Sequence, residues 1–143
     1  MSDNPSSRTW RAIRAALIIA GAQVCGCLLL ILAYKQEMID RETLMRGGMV
    51  VCGLGLAAIG NIMPKMMDGS PPQTLALATL KQSTYRVGGW AMSLAGLVFA
   101  SLWVFAPFDV AATGCVVALG AGIAVMFGYK AWRVFAHHRS SAS

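Results

Sequence analysis

The sequence predicts an all-α membrane protein with four transmembrane helices in a single domain spanning residues 1–143. Hydrophobic residues make up 57% of the chain and charged residues only 13%, against about 25% charged residues in an average soluble domain. A helix that crosses a bilayer needs about 20 apolar residues. Three of the four apolar stretches meet or nearly meet this length and the second comes close. The four stretches contain no Asp, Glu, Lys, Arg or His. They are Ala15–Tyr34, Gly48–Met63, Val87–Phe105 and Val110–Tyr129.

The first predicted span covers residues 15–34 and follows a polar tail, residues 1–9, that we expect to be disordered. Arg8, Arg11 and Arg14 precede the apolar run, as basic residues do in a secretory signal peptide. A signal peptide has an apolar region of about 7–15 residues and a small-x-small cleavage site. This run is longer and ends in Tyr34-Lys35, so we interpret it as an uncleaved helix.

The second predicted span covers residues 48–65 and is rich in small residues. Pro64 ends or kinks it, because proline lacks the backbone donor that a helix needs. The connection Met66–Arg86 begins with the turn cluster Asp68–Pro72 and continues over Gln73–Arg86 without a breaker. We therefore predict a short interfacial helix between the second and third spans.

The third and fourth predicted spans cover residues 87–105 and 110–129. They are joined by the tight turn Ala106–Asp109, which makes them antiparallel neighbours. A tail, residues 134–143, is expected to be disordered. Small residues recur at helical spacing, and such rows let helices approach closely in lipid. We favour packing within one chain over a dimer for these rows, of which two lie on the fourth span: Gly114, Ala118 and Gly122; Gly120, Ala124 and Gly128.

The distribution of Lys and Arg predicts the orientation. Nine of the twelve lie in the two tails and the second connection, and three lie in the first loop. The positive-inside rule therefore places both termini in the cytoplasm. The formal charge of +6 does not indicate nucleic-acid binding, because the basic residues flank the apolar stretches and form no patch.

The residues of the spans offer binding groups but no catalytic arrangement. No ionisable residue lies at a span centre, where proton-coupled transporters usually need one. Gln23 is the main intramembrane polar residue, and a lone amide more often bonds a neighbouring helix than a substrate. His137 and His138 are adjacent in a basic tail without further ligands. We predict no enzyme, no catalytic residue, no metal and no cofactor.

Two local patterns are more specific. In the first, Gly60–Lys65, the Asn61 amide can bond backbone groups freed by Pro64, and Lys65 can extend its ammonium to the headgroups. The second, Thr84–Trp90, places Arg86 and Trp90 at the same membrane surface, with two glycines between them where a helix can approach. The predicted functional surface is therefore Asn61, Pro64, Lys65, Arg86 and Trp90.

Together the two patterns resemble the SdpI family of bacterial membrane immunity proteins, over roughly Cys52–Tyr129. Asn61, Pro64 and Lys65 match its Gly-Asn-x-x-Pro-Lys signature, and Thr84, Arg86, Gly88 and Gly89 match the element that follows. The chain departs from the family pattern in Met66–Leu77 and at Tyr85, where the family has His. The resemblance implies a non-enzymatic protein of the inner (plasma) membrane that protects against a membrane-active toxin or relays its presence. Its implied partners are the lipid bilayer and a membrane-active peptide or protein.

Two other functions stay open. A small oligomeric transporter or channel would use Gln23 and Asn61 to line a path. An accessory subunit would pack against a larger membrane complex, and a homo-oligomer is compatible with either function. Flux through liposomes that contain only this protein would indicate the transporter, and co-purification with a partner would indicate the subunit.

Overall fold

The computed structural model describes residues 5–65 and 75–140 and is all-helical there. Its helices are α1 (Pro5–Lys35), α2 (Arg41–Ile62), α3 (Leu75–Phe105) and α4 (Phe108–Ser140), and a 3₁₀ turn, Met63–Lys65, continues α2. All four α-helices are long and apolar enough to cross a membrane, which confirms the predicted number of spans. The candidate spans are Ile13–Lys35, Arg41–Ile62, Gln82–Phe105 and Phe108–Trp132. The predicted disorder of the two tails is not tested by these helix bounds and stays a prediction.

The α1–α2 connection, residues 36–40, is shorter than the segment 35–47 that separates the first two predicted spans. Backbone hydrogen bonds from Glu37 N–H to Tyr34 O and from Met38 N–H to Ala33 O, both 3.0 Å, close the end of α1. This Schellman pattern puts Glu37 at a left-handed φ of 57°, where glycine is usual. Asp40 then caps α2 by accepting a 3.1 Å hydrogen bond from Thr43 N–H.

The predicted interfacial helix is not seen as a separate element. In the structure, α3 runs without a break from Leu75 through Arg86 into the apolar span. The physical reason lies in the sequence, because no proline or glycine separates Leu75 from Val87 and nothing there stops a helix. The part of the predicted connection at residues 66–74 lies outside the described residues.

The turn between α3 and α4 has the predicted position. Only Ala106 and Pro107 separate the two helices. Ala106 N–H donates to Leu102 O, and Ala111 N–H donates to Pro107 O, both at 2.9 Å. The two helices are therefore antiparallel neighbours, as the short connection predicts.

The helices form an open row in chain order. Within the described residues, each α-helix packs only against its neighbours in the chain: α1 on α2, α2 on α3 and α3 on α4. We call the end with the start of α1 and the end of α4 the terminal end, and the end with the two short turns the hairpin end. Because the row is open, both of its faces are accessible along its length.

The side chains in the row have an inside-out distribution. The buried apolar residues are three alanines, Ala95, Ala100 and Ala111, together with Trp103. Large aliphatic residues such as Leu17, Ile18 and Val116 are at least 65% exposed. Small residues at helix contacts and large apolar residues outside are typical of packing in lipid, where apolar surface is already solvated.

The α3–α4 contact uses one of the two small-residue rows on α4. A Cβ on Gly122 would lie 3.0 Å from the Ala95 Cβ, and one on Gly114 would lie 2.9 Å from Leu102 Cδ1. Gly120 and Gly128 of the other row have nothing within 4 Å of the Cβ position. The first row therefore packs within the chain, and the second lies on the exposed side of α4.

Candidate functional site

The contact between α2 and α3 is built on reciprocal glycine pairs. In the first pair, a Cβ on Gly53 would lie 2.9 Å from Gly96 O, and a Cβ on Gly96 would lie 2.7 Å from Gly53 O. In the second pair, a Cβ on Gly60 would lie 2.8 Å from Gly89 O, and a Cβ on Gly89 would lie 2.6 Å from Gly60 O. Each glycine thus presents an α-hydrogen to the opposite carbonyl, a weak but recurring helix–helix contact.

Pro64 explains the geometry of the Gly60–Gly89 pair. Proline has no N–H, so the carbonyl of Gly60, four residues earlier, has no helical donor. This carbonyl lies against Gly89 of α3, and the Pro64 ring carbons Cδ and Cγ also approach the Gly89 Cβ position, at 2.8 and 2.9 Å. The proline therefore opens the end of α2 for a backbone contact with the next helix.

Asn61 does not make the contact that the sequence suggests. The sequence predicts that its amide bonds the backbone groups that Pro64 frees or a group on a neighbouring helix. The Asn61 side chain is exposed, and no hydrogen bond of its amide is found among the described residues. The freed carbonyl of Gly60 instead faces Gly89 of α3.

A groove of about 380 Å³ lies beside the Gly60–Gly89 contact, between α2 and α3. The Ser93 hydroxyl donates a 3.0 Å hydrogen bond across it to Ala57 O and so ties the two walls together. Trp90 is 63% exposed at one wall. The lining comprises apolar and small residues with one free amide: Ala57, Ala58, Gly60, Asn61, Pro64, Gly89, Trp90, Ser93 and Leu97.

The groove brings together most of the predicted functional surface. Asn61 and Pro64 come from α2 and its 3₁₀ turn, and Trp90 comes from α3. Arg86 is exposed and precedes Trp90 by four residues, which is about one helical turn along the same face. Lys65 follows Pro64 directly. Arg86 therefore stands beyond the groove at the terminal end, and the backbone of Lys65 lies at the same end.

Gln23, the other predicted polar site, lies elsewhere. Its side-chain amide packs on Gly55 so tightly that a Cβ on Gly55 would overlap it. This contact is part of the α1–α2 interface, together with Val51 against Gly26 and Leu30 against Gly47. Gln23 and Asn61 therefore lie at different helix contacts, and within one chain the described residues place them on no shared path.

Sequence reasoning missed the role of Arg46 at the hairpin end. Its guanidinium donates hydrogen bonds to the carbonyls of Trp103, at 3.2 Å, and Ala106, at 2.9 Å. Its Nε also donates to Glu42 at 2.9 Å. A cation at the carboxyl end of a helix satisfies carbonyls that have no helical donor. The spacing of Glu42 and Arg46 signals their ion pair, and Pro107, four residues after Trp103, signals that the Trp103 carbonyl has no helical donor. No local signal pairs Arg46 with that carbonyl.

Trp103 is the largest residue in the core of the described chain. It is 3% exposed, and its ring meets that of Phe108 edge to face with centroids 5.3 Å apart. Its indole Nε1 is buried without a hydrogen-bond partner in the described part of the chain. Its ring packs α3 against α4 at the turn, and Arg46 bonds its carbonyl to α2.

The groove offers polar groups that can bind a ligand. Asn61 supplies an amide and Trp90 an indole, and the Ser93 hydroxyl already has an acceptor. Across residues 5–65 and 75–140, no group of three His, Cys, Asp or Glu could hold a metal ion. We therefore treat the groove as a candidate binding site.

Comparisons with family models, curated proteins and solved structures find no match for this chain. The likeness to the SdpI family therefore rests on the quoted residues and stays a prediction.

Proposed function

We propose that this chain is a non-enzymatic, SdpI-like protein of a bacterial inner membrane. It protects the cell against a membrane-active peptide or relays the presence of that peptide. In this proposal both termini lie in the cytoplasm, because nine of the twelve Lys and Arg residues fall in the segments at the terminal end. The functional surface is the groove of Asn61, Pro64 and Trp90, with Lys65 and Arg86 beyond it.

One observation supports this proposal above the others. The two sequence patterns that carry the resemblance are more than 15 residues apart in the chain, and they pack against each other through Gly60 and Gly89. They form opposite walls of one groove. Residues that share a surface can act on one ligand, whereas two separate helix ends could not.

The open row also favours a ligand that arrives from within the bilayer. The groove runs along two adjacent helices, and neither α1 nor α4 contacts both of them in the described residues. A membrane-active peptide or another component of the membrane can therefore reach it laterally, without passing through water.

A deletion strain tests the proposal. Cells without this protein should be more sensitive to membrane-active peptides, and the wild-type gene should restore survival. Solute uptake should be the same in both strains, and the abundance of the protein in the membrane should be measured in parallel. Unchanged survival across a panel of such peptides would reject the protective role.

A specific observation favours assembly as the second candidate. The row of Gly120, Ala124 and Gly128 is exposed on α4, and rows of this kind promote helix association in lipid. An accessory subunit or an oligomeric transporter would use such a face. Disulfide cross-linking of Gly120→Cys in membranes, with the native cysteines replaced, tests for a second copy. Co-purification tests for a different partner, and flux in liposomes that contain only this protein tests for transport.

A further inference from the structure

We propose that the α2–α3 groove binds an anionic phospholipid from the leaflet at the terminal end. This inference names a ligand for the groove of the proposed function, but it does not depend on protection against a peptide. It rests on three features of the groove: the order of polarity along it, the unpartnered amide of Asn61, and the positive charge where it meets the terminal end.

The polarity of the groove follows that of a phospholipid. Leu97 marks its apolar end, and Trp90 lies seven residues earlier on α3, about 10 Å along the helix axis. Arg86 lies one further turn toward the terminal end. Along the groove, an apolar wall comes first, then the amide and the indole, and then the cation. This order matches that of the acyl chain, the ester carbonyls and the phosphate in the lipid.

The Asn61 amide requires a partner that the described protein does not provide. It carries two N–H donors, lies within a helix that can span the membrane, and has no hydrogen bond among the described residues. An unsatisfied polar group is costly in lipid. The ester carbonyl of a phospholipid is an acceptor at this depth, just below the headgroup.

The charge at the terminal end selects an anionic headgroup. The segments at this end contain nine Lys and Arg but only two acidic residues, Asp3 and Asp68. Arg86 is exposed and makes no ion pair in the described part of the chain, and Lys65 directly follows Pro64 in the sequence. Basic pockets between transmembrane helices are established sites for anionic headgroups.

The depth of the groove favours an acyl chain over a helix. The tight glycine contacts beneath the groove keep it shallow, because the two backbones touch. An extended hydrocarbon chain can lie in such a groove, whereas a peptide helix would rest on its rim.

Lipid binding to the purified full-length chain in detergent tests this inference. Phosphatidylglycerol is titrated against phosphatidylcholine and followed by native mass spectrometry. We expect phosphatidylglycerol to bind more tightly, and glycerol 3-phosphate, which has the headgroup phosphate without acyl chains, not to compete at equal concentration. Equal binding of the two lipids, or competition by glycerol 3-phosphate, would overturn the inference.

Three variants locate the site. Arg86→Gln should weaken phosphatidylglycerol binding about fivefold, the effect of one basic residue near an anionic surface. Asn61→Leu should weaken binding of both lipids, and Ala58→Phe should abolish it by filling the groove. Arg41→Gln, which removes an exposed charge from the hairpin end, should leave binding unchanged.

The thermal midpoint of each variant in lipid-free detergent shows whether it is folded. Wild-type affinity in folded Ala58→Phe would overturn the inference. A misfolded Ala58→Phe would leave Arg86→Gln and Asn61→Leu to decide, and wild-type affinity in both would overturn it. Loss of lipid in these variants would support the inference whether or not protection in cells is also lost, so the two proposals fail separately.

Discussion

Gly96 of α3 lies so close to Ala57 of α2 that a Cβ on Gly96 would come within 2.5 Å of the Ala57 backbone nitrogen. The same Cβ would lie 2.7 Å from Gly53 O. Both contacts are with backbone atoms, which cannot rotate away as the end of a side chain can. The separation of α2 and α3 is therefore set by the absence of side chains at the glycine pairs.

Gly96→Ala should consequently lower the free energy of unfolding by about 1–3 kcal/mol, the usual cost of overpacking. The matched control is Gly120→Ala, because nothing lies within 4 Å of a Cβ there. That change should be neutral or should stabilise by up to about 1 kcal/mol, since alanine favours helix more than glycine does. Unfolding in mixed micelles measures both variants, and equal stability of the two would contradict the tight α2–α3 contact.

Arg46→Gln should loosen the turn between α3 and α4. It removes hydrogen bonds from a charged donor to the carbonyls of Trp103 and Ala106, and such bonds each contribute about 1.5–3 kcal/mol. Hydrogen exchange of the amides in residues 103–111 should become faster. Arg46→Lys should restore only part of the protection, because an ammonium lacks the fork geometry of a guanidinium.

Two controls separate this effect from loss of charge. Arg41→Gln removes an exposed cation from the same helix and should leave the exchange unchanged. Glu42→Gln breaks only the ion pair with Arg46, whose carboxylate side is 60% exposed, and should cost less than about 1 kcal/mol. If Glu42→Gln has as large an effect as Arg46→Gln, the carbonyl contacts are not what holds the turn.

The Asp40 cap of α2 should make the stability of the protein depend on pH in the acidic range. A hydrogen bond from the Thr43 side chain, followed by the one from the Thr43 backbone N–H, lowers the pKa of Asp40 from its ordinary value of 3.8. A lowered pKa means that the cap stabilises the folded state fully at pH values above the ordinary pKa of Asp40. This contribution is lost as the pH falls through the lower, folded-state pKa.

Titration of the Asp40 carboxyl by NMR should therefore give a midpoint below 3.8. Thr43→Val, which removes the side-chain donor and keeps the backbone donor, should move the midpoint upward. Asp40→Asn should preserve the cap at every pH, because an amide oxygen also accepts the bond from Thr43 N–H. A midpoint at or above the ordinary value would contradict the cap geometry.

The sequence was sufficient for the spans and the α3–α4 turn because these depend on local patterns. It did not reveal which small-residue row of α4 packs, since Gly114–Gly122 and Gly120–Gly128 have the same spacing and only the position of α3 separates them. The bonds from Arg46 to the α3 carbonyls connect residues 57 and 60 positions apart, beyond any local signal.

The surroundings of Asn61 could not be predicted for a related reason. A proline three residues later suggests a local role for the amide, and the freed carbonyl is indeed Gly60 O. The sequence does not show that Gly89 of α3 packs against this carbonyl. The structure does not show a separate interfacial helix, because α3 has no breaker between Leu75 and Val87 and continues without interruption.

Cysteine labelling tests the orientation with respect to the membrane. In a chain freed of its native cysteines, positions near Glu42 and Asp109 should react with an impermeant reagent in intact cells. Ser70→Cys and Ser141→Cys should react only after the membrane is opened, because both belong to the end that carries nine of the twelve basic residues. Labelling of either serine position from outside would reverse the orientation.

Survival under challenge by a membrane-active peptide tests the residues of the groove. Asn61→Leu should weaken protection more than Gln23→Leu, because Asn61 lines the groove and Gln23 lies in the α1–α2 interface against Gly55. Gln23→Leu is the matched control, since it also replaces an intramembrane amide by an apolar side chain. Lys65→Ala should reduce protection more than stability, because a cation beyond the groove adds little to packing. The abundance of each variant in the membrane separates loss of function from loss of protein. Full protection by both Asn61→Leu and Lys65→Ala at normal abundance would mean that this surface is only the end of a helix.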